Sequence, residues 1–324
     1  MTVKMILDCD TGVDDTMAIM YAALHPNIDL LAIGTVWGNV EVSMGTRNTI
    51  HTLELVGRGE VPVAQGAAGP LLYKEPEYAY FVHGDDGQGN AYDGAPVGPA
   101  ASTTAVQQII DLVHKYPHEV WLVPVGPLTN IAAALALDPE LPHLVAGVSL
   151  MGGAALAPGN VTAVAEANIW HDAEAAAAVF RAPWKIIMAG LDVTMQNFVT
   201  LESKKRLDEG GNAAQYLSKI LEFYGNFYAQ HRGGEWLAAM HDTIAVAAAA
   251  QTLTINSAPI VRVEVDCSNG PAHGQTICDM RGMYSNYPPQ SGAHCTVLMD
   301  IEDSIVGDVI ELIAAYRSPG ELAG

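Results

Sequence analysis

Short runs of apolar residues alternate with amphipathic segments along the chain as far as residue 189. The apolar runs lack polar alternation, which is typical of parallel strands covered on both faces. They predict strands at residues 3–8, 29–35, 119–123, 145–151 and 185–189. Apolar positions at helical spacing predict helices at residues 15–25, 43–56, 104–115, 130–137 and 172–181. This alternation predicts an α/β fold with a mostly parallel, Rossmann-like central sheet flanked by helices.

The rest of the chain is less regular. Its patterns predict helices at residues 212–230 and 241–250, strands at 260–265, 275–279 and 295–299, and a Gly/Pro/Asn-rich loop at 281–293. The longest uncharged stretch, residues 243–261, contains Thr, Asn, Ser and Pro. It predicts a buried Ala-rich helix and the start of a strand instead of a membrane span. Because no segment resembles a linker or a repeat, we expect a single compact domain over residues 1–324.

Composition and charge narrow the classes of protein. Half of the 324 residues are hydrophobic and 16% are charged, which excludes a disordered chain. The 15 basic and 36 acidic residues give a net charge of −21, which repels phosphate backbones and anionic membranes. Neither nucleic acid nor a membrane is therefore an expected partner. The four cysteines lack zinc-binding spacing and predict reduced thiols. Since no signal peptide is visible, we expect a cytoplasmic protein.

Four carboxylates directly follow the first predicted strand: Asp8, Asp10, Asp14 and Asp15. Strand alternation places Asp8 and Asp10 on the same side, and Gly12 permits a sharp turn that brings the other two back. Converging carboxylates repel each other unless a cation neutralises them, and hard oxygen ligands favour Ca²⁺ or Mg²⁺. The alternative is an acidic first turn of a helix, favoured by the helix dipole. That alternative explains Asp14 and Asp15 but not Asp10.

Asparagine, glutamate and glycine residues follow the later predicted strands. They occur in Val36-Trp37-Gly38-Asn39, in the segment from Pro124 to Asn130, and in Met151-Gly152-Gly153 with the later Asn160, Glu166 and Asn168. His241-Asp242 opens a later predicted helix. Ligands of open parallel sheets bind at the carboxyl ends of the strands. Asn and Glu side chains gathered there suit a polyhydroxylated ligand, whose hydroxyls both donate and accept hydrogen bonds. Taken singly, each asparagine is more typical of a turn or a helix cap.

Together these motifs resemble the inosine-uridine preferring nucleoside hydrolase family. The resemblance is carried by Asp8-x-Asp10-x-Gly12-x-Asp14-Asp15, Val36-Trp37-Gly38-Asn39, Val125-Gly126-Pro127-Leu128-Thr129-Asn130, Met151-Gly152-Gly153, Asn160…Glu166-x-Asn168 and His241-Asp242. The motifs keep their order from residue 8 to residue 242. The resemblance implies a Ca²⁺-dependent N-ribohydrolase that cleaves a small-molecule ribonucleoside, purine or pyrimidine, to ribose and free base.

The resemblance also implies a role for each matching residue. Calcium would be held by Asp10, Asp15, Asp242 and the backbone carbonyl of Val125. The ribose hydroxyls would be bound by Asp14, Asn39, Asn160, Glu166 and Asn168. Asp10 would be the general base for water bound to the metal, and His241 would protonate the leaving base.

Further residues match the base side of the family's site. His83 belongs to a His-Gly segment that lies on a flexible loop near the base in family members. Tyr224, Tyr228 and Arg232 lie on the predicted helix that leads toward His241. Tyrosines four residues apart share one helix face, so ordinary packing of an amphipathic helix explains them equally well.

The sequence departs from the family's pattern at three places. Thr11 stands where Pro is common, which affects the rigidity of the turn more than the chemistry. Val125 stands where Thr or Ser is frequent, a change that leaves a backbone carbonyl ligand intact. The segment after His83, residues 84–90, is more acidic than the family's pattern, and this leaves the preferred base open.

Two other functions compete with this interpretation. A haloacid-dehalogenase-like phosphatase would explain Asp8 and Asp10 after the first strand, but that family has Thr where this chain has Gly12. A calcium-stabilised nucleoside-binding protein without activity would lack the base or the acid, yet Asp10 and His241 are both present. The family resemblance further implies a homodimer or homotetramer.

Overall fold

A computed structural model describes residues 2–72, 75–231, 233–284 and 290–322 and places a mostly parallel sheet at the centre of the protein. The first strands are β1 (Val3–Cys9), β2 (Ile28–Thr35), β3 (Val63–Gln65), β4 (Val120–Pro124), β5 (Gly147–Met151), β6 (Ile186–Ala189) and β7 (Phe198–Val199). The later strands are β8 (Ala238–Ala239), β9 (Ile255–Ser257), β10 (Ile260–Val261), β11 (Val263–Val265), β12 (Thr276–Cys278), β13 (Cys295–Val297) and β14 (Asp300–Ile301).

Helices connect and cover these strands. The first are α1 (Val13–Leu24), α2 (Val42–Leu55), α3 (Tyr80–His83), α4 (Ala105–Lys115), α5 (Thr129–Leu137), α6 (Leu141–Leu144) and α7 (Ala167–His171). The later ones are α8 (Ala173–Arg181), α9 (Leu191–Thr194), α10 (Leu201–Asp208), α11 (Asn212–His231), α12 (His241–Ala249), α13 (Ser304–Ala315) and α14 (Pro319–Leu322). Helices α1, α11, α12 and α13 contribute to one hydrophobic cluster, and α4, α5 and α8 to another. Across the described ranges, no helix has the length and apolar character needed to cross a membrane.

The strand order locates the site. The main sheet runs β10-β13-β6-β5-β4-β1-β2-β3, and all its neighbours are parallel except β10 and β13. The order of the first six strands is that of a doubly wound Rossmann sheet, which confirms the predicted α/β class. The connection after β1 leads to β2 on one side of β1, and the connection after β3 leads to β4 on the other side of β1. Ligands of such sheets bind in the crevice at this switch point, beyond the carboxyl ends of β1 and β4.

Two predicted elements in the last third are wrong in detail. The strand predicted at residues 260–265 is two strands, because Val261 pairs with Cys295 whereas Val263 pairs with Cys278 in a separate two-stranded sheet. The loop predicted at residues 281–293 begins inside a 3₁₀-helix, Met280–Met283, and residues 285–289 of that loop lie outside the described residues. The four cysteines are free, as their spacing predicts.

Candidate active site and metal centre

Asp10 follows β1, and its carboxylate packs closely against two glycines, Gly38 and Gly126. Its Oδ2 accepts a hydrogen bond from the backbone N–H of Asn39 at 2.6 Å. A Cβ added at Gly38 would lie 2.1 Å from that Oδ2, and one added at Gly126 would lie 2.7 Å from Oδ1. The glycines of two separate motifs are therefore explained by the close approach of one carboxylate.

Asp15 ties the start of α1 to the same loop. Its Oδ2 accepts hydrogen bonds from the backbone N–H of Gly12 at 2.9 Å and from Nδ2 of Asn39 at 3.0 Å, while Oδ1 accepts one from the N–H of Asp10 at 3.2 Å. Gly12 itself has φ −93°, which any residue adopts, so the turn that brings Asp15 back does not use the left-handed conformation that favours glycine. Glycine is needed there because a Cβ would lie 2.4 Å from Nδ1 of His83.

Asp8 does not face the same point as the other carboxylates. It is a buried residue of β1, and its Oδ1 accepts a hydrogen bond from Nδ2 of Asn130 at 2.9 Å. Burial raises the pKa of Asp8 to about 7, and the Asn130 hydrogen bond opposes this rise. The same Asn130 amide donates to the carbonyl of Thr35 at 2.9 Å. Asp8 and Asn130 therefore join the ends of β1, β2 and α5 beneath the site.

Three buried carboxylates meet at the crevice. Oxygen atoms of Asp14, Asp15 and Asp242 all lie within 4.8 Å of one another, although Asp242 is distant from the other two in the sequence. Burial, followed by the charge of Asp15, raises the pKa of Asp14 to about 8, and burial also raises the pKa values of Asp10, Asp15 and Asp242. Within the described residues, Oδ1 of Asp10 and Oδ1 of Asp14 have no hydrogen-bond partner.

A bound cation would offset the repulsion among these buried carboxylates. Among the described residues that line the adjoining cavity there is no lysine or arginine to offset the carboxylates. Buried anions that lack partners either bind protons or bind a positive ion. The donor set is entirely oxygen, which suits a hard divalent cation. The aspartate cluster could therefore hold a metal ion.

The cavity beside this cluster has a volume of about 590 Å³ and brings most predicted residues together. Its lining includes Asp14, Asn39, His83, Val125, Asn160, Glu166, Asn168, Tyr224, Tyr228, His241 and Asp242. Asp10 and Asp15 are connected to the lining through their hydrogen bonds to Asn39. The lining also contains residues that sequence reasoning missed, including Phe81, Met151, Trp170, Leu191, Met195 and Phe227.

The amide and carboxylate groups at one end are held by backbone hydrogen bonds. Glu166 caps α7, since its carboxylate accepts from the N–H groups of Gly153, Asn168 and Ile169 at 2.9, 2.9 and 3.2 Å. Burial raises the pKa of Glu166 to about 7, against the lowering effect of these N–H donors. Asn160 accepts from the N–H of Ala167 at 3.0 Å. These residues are therefore caps and cavity-lining groups at once.

Aromatic rings form the other end of the cavity. The rings of His83 and Tyr224 stack at 5.4 Å, and Tyr224 and Tyr228 meet edge to face at 5.1 Å. Phe81 of α3 contacts Phe227 of α11 with ring centroids 5.9 Å apart. Tyr224 also donates to Oδ2 of Asp14 at 3.2 Å. The side chains of α3 and α11 therefore present flat apolar surfaces, which suit a planar ligand group.

His83 is a buried residue at the end of α3, and it is neutral. Its Nδ1 accepts a hydrogen bond from the backbone N–H of Val13 at 3.1 Å, so this nitrogen carries no proton. Burial, together with the nearby His241, lowers the pKa of His83 to about 3. Its 3.8 Å separation from Asp14 is therefore not an ion pair. His83 can donate a hydrogen bond from Nε2 but is poorly suited to supply a proton at neutral pH.

The acidic segment after His83 has a structural role. Asp86 accepts hydrogen bonds from the N–H groups of Gln88 and Asn90 at 2.6 and 2.8 Å, which closes the loop on itself. The buried amide of Gln88 donates to the carbonyl of Gly12 at 3.1 Å. Residues 84–90 thus support the aspartate loop and the position of His83. Arg232, predicted on the base side, lies outside the described residues.

His241 opens α12 and has hydrogen bonds at both ring nitrogens. Nδ1 lies 2.8 Å from the hydroxyl oxygen of Thr194, and Nε2 lies 2.8 Å from the hydroxyl oxygen of Tyr228. The side chain is buried, and it lines the cavity beside Asp242.

The one-turn helix α9, which no sequence motif marked, supports the cavity from below. Its Asp192 accepts hydrogen bonds from three successive N–H groups, those of Ala155, Leu156 and Ala157, at 2.6, 2.8 and 2.9 Å. These residues begin the loop that carries Asn160. Asp192 therefore fixes the start of that loop.

The fold and the site define an α/β protein in which an aspartate cluster adjoins a small-ligand cavity at the switch point of the sheet. Residues 5–306 match the family described as inosine-uridine preferring nucleoside hydrolase, and the chain belongs to that family. It is therefore a hydrolase acting on N-glycosyl compounds, a class that cleaves ribonucleosides to ribose and free base.

Individual relatives cover nearly the whole chain. It is 37% identical over 315 residues to the inosine-uridine preferring nucleoside hydrolase of Crithidia fasciculata, covering 96% of this chain and 98% of that protein. It is 35% identical over 300 residues to probable uridine nucleosidase 1 of Oryza sativa subsp. japonica, covering 90% and 91%. The solved structure of a purine-preferring ribonucleoside hydrolase from Gardnerella vaginalis superimposes with a TM-score of 0.86 at 34% identity, covering 96% and 98%.

Proposed function

We propose that this protein is a calcium-dependent hydrolase of purine and pyrimidine ribonucleosides. The observation that carries the proposal is the position of three mutually close buried carboxylates at the wall of a cavity lined by asparagine, glutamate and aromatic side chains. A cation, a sugar and a flat base each find a matching surface there.

Asp15 and Asp242 of the carboxylate cluster, together with Asp10 and the backbone carbonyl of Val125, would hold the calcium ion, whereas Asp14, the third member of the cluster, would contact ribose. The unpartnered Oδ1 of Asp10 lies beside Gly126, next to that carbonyl in the chain. When bound, calcium neutralises the carboxylates and favours the deprotonation of water. It acidifies water less strongly than zinc does, so a carboxylate base is still required.

The polar end of the cavity would bind ribose. Asn39, Asn160 and Asn168 supply amide groups that donate and accept, and Asp14 and Glu166 supply acceptors. A ribose hydroxyl that both donates and accepts can be bound by such a set, whereas a deoxy position would leave buried groups unpaired. These five residues therefore favour a ribonucleoside over a deoxyribonucleoside.

Two side chains would move protons during cleavage. The oxygen of a water molecule would bond to C1′ while the Asp10 carboxylate takes one of its protons. The C1′–N bond breaks, and its electron pair stays with the base, which receives a proton from Nε2 of charged His241. The oxocarbenium-like sugar is stabilised by the nearby carboxylates.

The aromatic end of the cavity would bind the base. Tyr224, Tyr228 and the neutral His83 offer ring faces and edges, a mode of contact that tolerates different bases. The names of the relatives mention uridine, inosine and purines, which supports a broad range of bases for this chain.

The homodimer or homotetramer, the single domain over 1–324 and the cytoplasmic location remain predictions.

Release of reducing sugar from inosine and uridine, and release of phosphate from a phosphorylated sugar, test the proposal, with each reaction run with and without EDTA. We expect ribose from both nucleosides, loss of activity in EDTA and no phosphate release. Phosphate release would favour the phosphatase alternative. Absence of any turnover, with nucleoside binding retained, would favour the non-catalytic alternative.

A further inference from the structure

Thr194 ends the one-turn helix α9, directly behind His241. It is completely buried, and its hydroxyl oxygen lies 2.8 Å from Nδ1 of His241. In the described part of the chain this is the only hydrogen bond of the Thr194 side chain. The backbone N–H of Thr194 donates to the carbonyl of Gly190 at 3.0 Å, which fixes the residue just after β6. The hydroxyl therefore occupies a defined position just beyond the end of β6.

The imidazole of His241 is held by a hydrogen bond at each of its two ring nitrogens. Thr194 contacts Nδ1 on the sheet side, and the Tyr228 hydroxyl contacts Nε2 on the cavity side, both at 2.8 Å. Rotation of the ring about its Cβ–Cγ bond would break both hydrogen bonds. The cavity-facing nitrogen is therefore Nε2 as long as Thr194 keeps its partner.

A hydroxyl differs from the groups that usually orient histidine. A carbonyl or carboxylate oxygen only accepts, so it pairs with Nδ1 only when that nitrogen carries a proton. The Thr194 hydroxyl accepts from a protonated Nδ1 and donates to an unprotonated one by rotating about a single bond. In the proposed transfer Nδ1 keeps its proton, so the Thr194 oxygen accepts a hydrogen bond from it both before and after Nε2 loses its proton.

We propose that Thr194 is a positioning residue that keeps Nε2 of His241 directed at the departing base. The proposal rests on the proposed function, because it assumes that His241 donates a proton there. During the reaction the proton leaves Nε2 for a ring nitrogen of the base. The imidazole becomes neutral and keeps its remaining proton on Nδ1, donated to the oxygen of Thr194.

Two substitutions separate the hydroxyl from the shape of the side chain. Thr194→Val keeps the branched shape and removes the hydrogen bond, whereas Thr194→Ser keeps the hydroxyl and removes a methyl group. Thr243→Val is a matched control, since Thr243 is also completely buried and its hydroxyl has no hydrogen-bond partner within the described residues. Thr194→Ala gives a second variant without the hydroxyl should the valine variant fail to fold.

The variants are compared on inosine, whose base needs a proton, and on a nitrophenyl riboside, whose phenolate leaves without one. A misplaced catalytic group costs up to about 100-fold, so we expect Thr194→Val to lower kcat on inosine about 10- to 100-fold. Its kcat on the nitrophenyl riboside and its calcium affinity, measured by calorimetry, should match the wild type. Thr194→Ser and Thr243→Val should stay within about 3-fold on both substrates.

Different results contradict different parts of the argument. Thr194→Val and Thr194→Ala at wild-type rates on inosine, or equally slow on both substrates, would overturn the role of Thr194. His241→Ala at a wild-type rate on inosine would instead overturn the proton donor of the proposed function. In the His241→Ala background, Thr194→Val should cause no further loss on inosine. A further loss would show that Thr194 acts by another route.

Discussion

The side-chain amide of Asn168 donates a hydrogen bond to the backbone carbonyl of Val125 at 2.8 Å. The same nitrogen lies 3.2 Å from the carbonyl oxygen of Met151. One side chain from α7 therefore joins the carboxyl ends of β4 and β5. Asn168 is proposed to bind ribose and the Val125 carbonyl is proposed to bind calcium, so this hydrogen bond connects the two parts of the site.

This connection predicts a combined defect in Asn168→Ala. The substitution removes a ribose contact and the donor to Val125, so we expect KM for inosine to rise about 10-fold or more, as expected when a hydrogen bond to a buried partner is lost. Steady-state kinetics measure the change. For the wild type, 2′- and 3′-deoxynucleosides should be poor substrates. Deoxynucleosides cleaved as fast as inosine would refute the ribose contacts.

Calcium removal should affect stability and activity together. Because an ion bound only by the folded chain stabilises it by about 2.7 kcal/mol at 100 times its Kd, EDTA should lower Tm by several degrees. Thermal unfolding and inosine turnover are measured after chelation and after adding back Ca²⁺ or Mg²⁺. We expect Ca²⁺ to restore both properties. Full turnover in a sample shown to be metal-free would contradict the metal centre.

Asp10→Asn should separate binding from chemistry. The amide retains an oxygen atom and the size of the side chain but cannot take a proton from water, so kcat should fall at least about 10²-fold. Asp8→Asn is the matched control, because Asp8 lies two residues earlier at the end of β1, is similarly buried and faces Asn130 instead of the cavity. We expect the control to retain activity within a few-fold. Similar losses in both variants would point to damage of the β1 end and not to a lost base.

His241→Ala should show a defect that depends on the leaving group. Loss of general acid catalysis should lower kcat on inosine by about 10²–10⁴-fold. The nitrophenyl riboside should be cleaved almost normally, and it serves as the control for damage to the neighbouring Asp242. Equal losses on the two substrates would remove the acid role from His241.

Glu166 should make the protein less stable as pH rises. Its pKa is raised from 4.5 to about 7 by burial, so the folded state holds a proton that the unfolded state releases between these values. The contribution of Glu166 to stability is therefore fully present below about pH 4.5 and lost as pH rises through about 7, by up to about 3 kcal/mol. Urea unfolding at pH 5 and pH 8 in EDTA should show a smaller pH dependence in Glu166→Gln. An identical dependence in the two proteins would show that Glu166 keeps an ordinary pKa.

Much of the fold follows from local patterns. The buried strands β1, β2, β4, β5 and β6 are continuous apolar runs, and each was predicted within two residues of its observed ends. Helix α13 was not predicted, although Ile305, Val309 and Ile313 recur at helical spacing and pack into the core. The division of residues 260–265 between two sheets depends on which distant strand lies alongside, and local pattern carries no such information.

The site likewise contains residues that the sequence predicts and residues that it does not. Asp14, Asp15 and the later asparagines stand in recognisable motifs at strand ends, where the geometry of a parallel sheet brings them together. Thr194 and Asp192 belong to an ordinary Leu-Asp-Val-Thr segment whose importance comes from partners 47 and about 36 residues away. Asn130 stands in one of these motifs, but its contact with Asp8 across 122 residues appears only in three dimensions.

Gly38 and Gly126, which pack against Asp10, limit where this enzyme can be redesigned. Since any side chain at Gly38 or Gly126 would collide with that carboxylate, mutant libraries covering the sugar end should return mostly inactive proteins. The opposite end is more permissive, because Phe81 is 71% exposed and contacts Phe227 through its ring. Directed evolution toward new leaving groups should therefore vary Phe81 and Phe227 and retain Gly38 and Gly126.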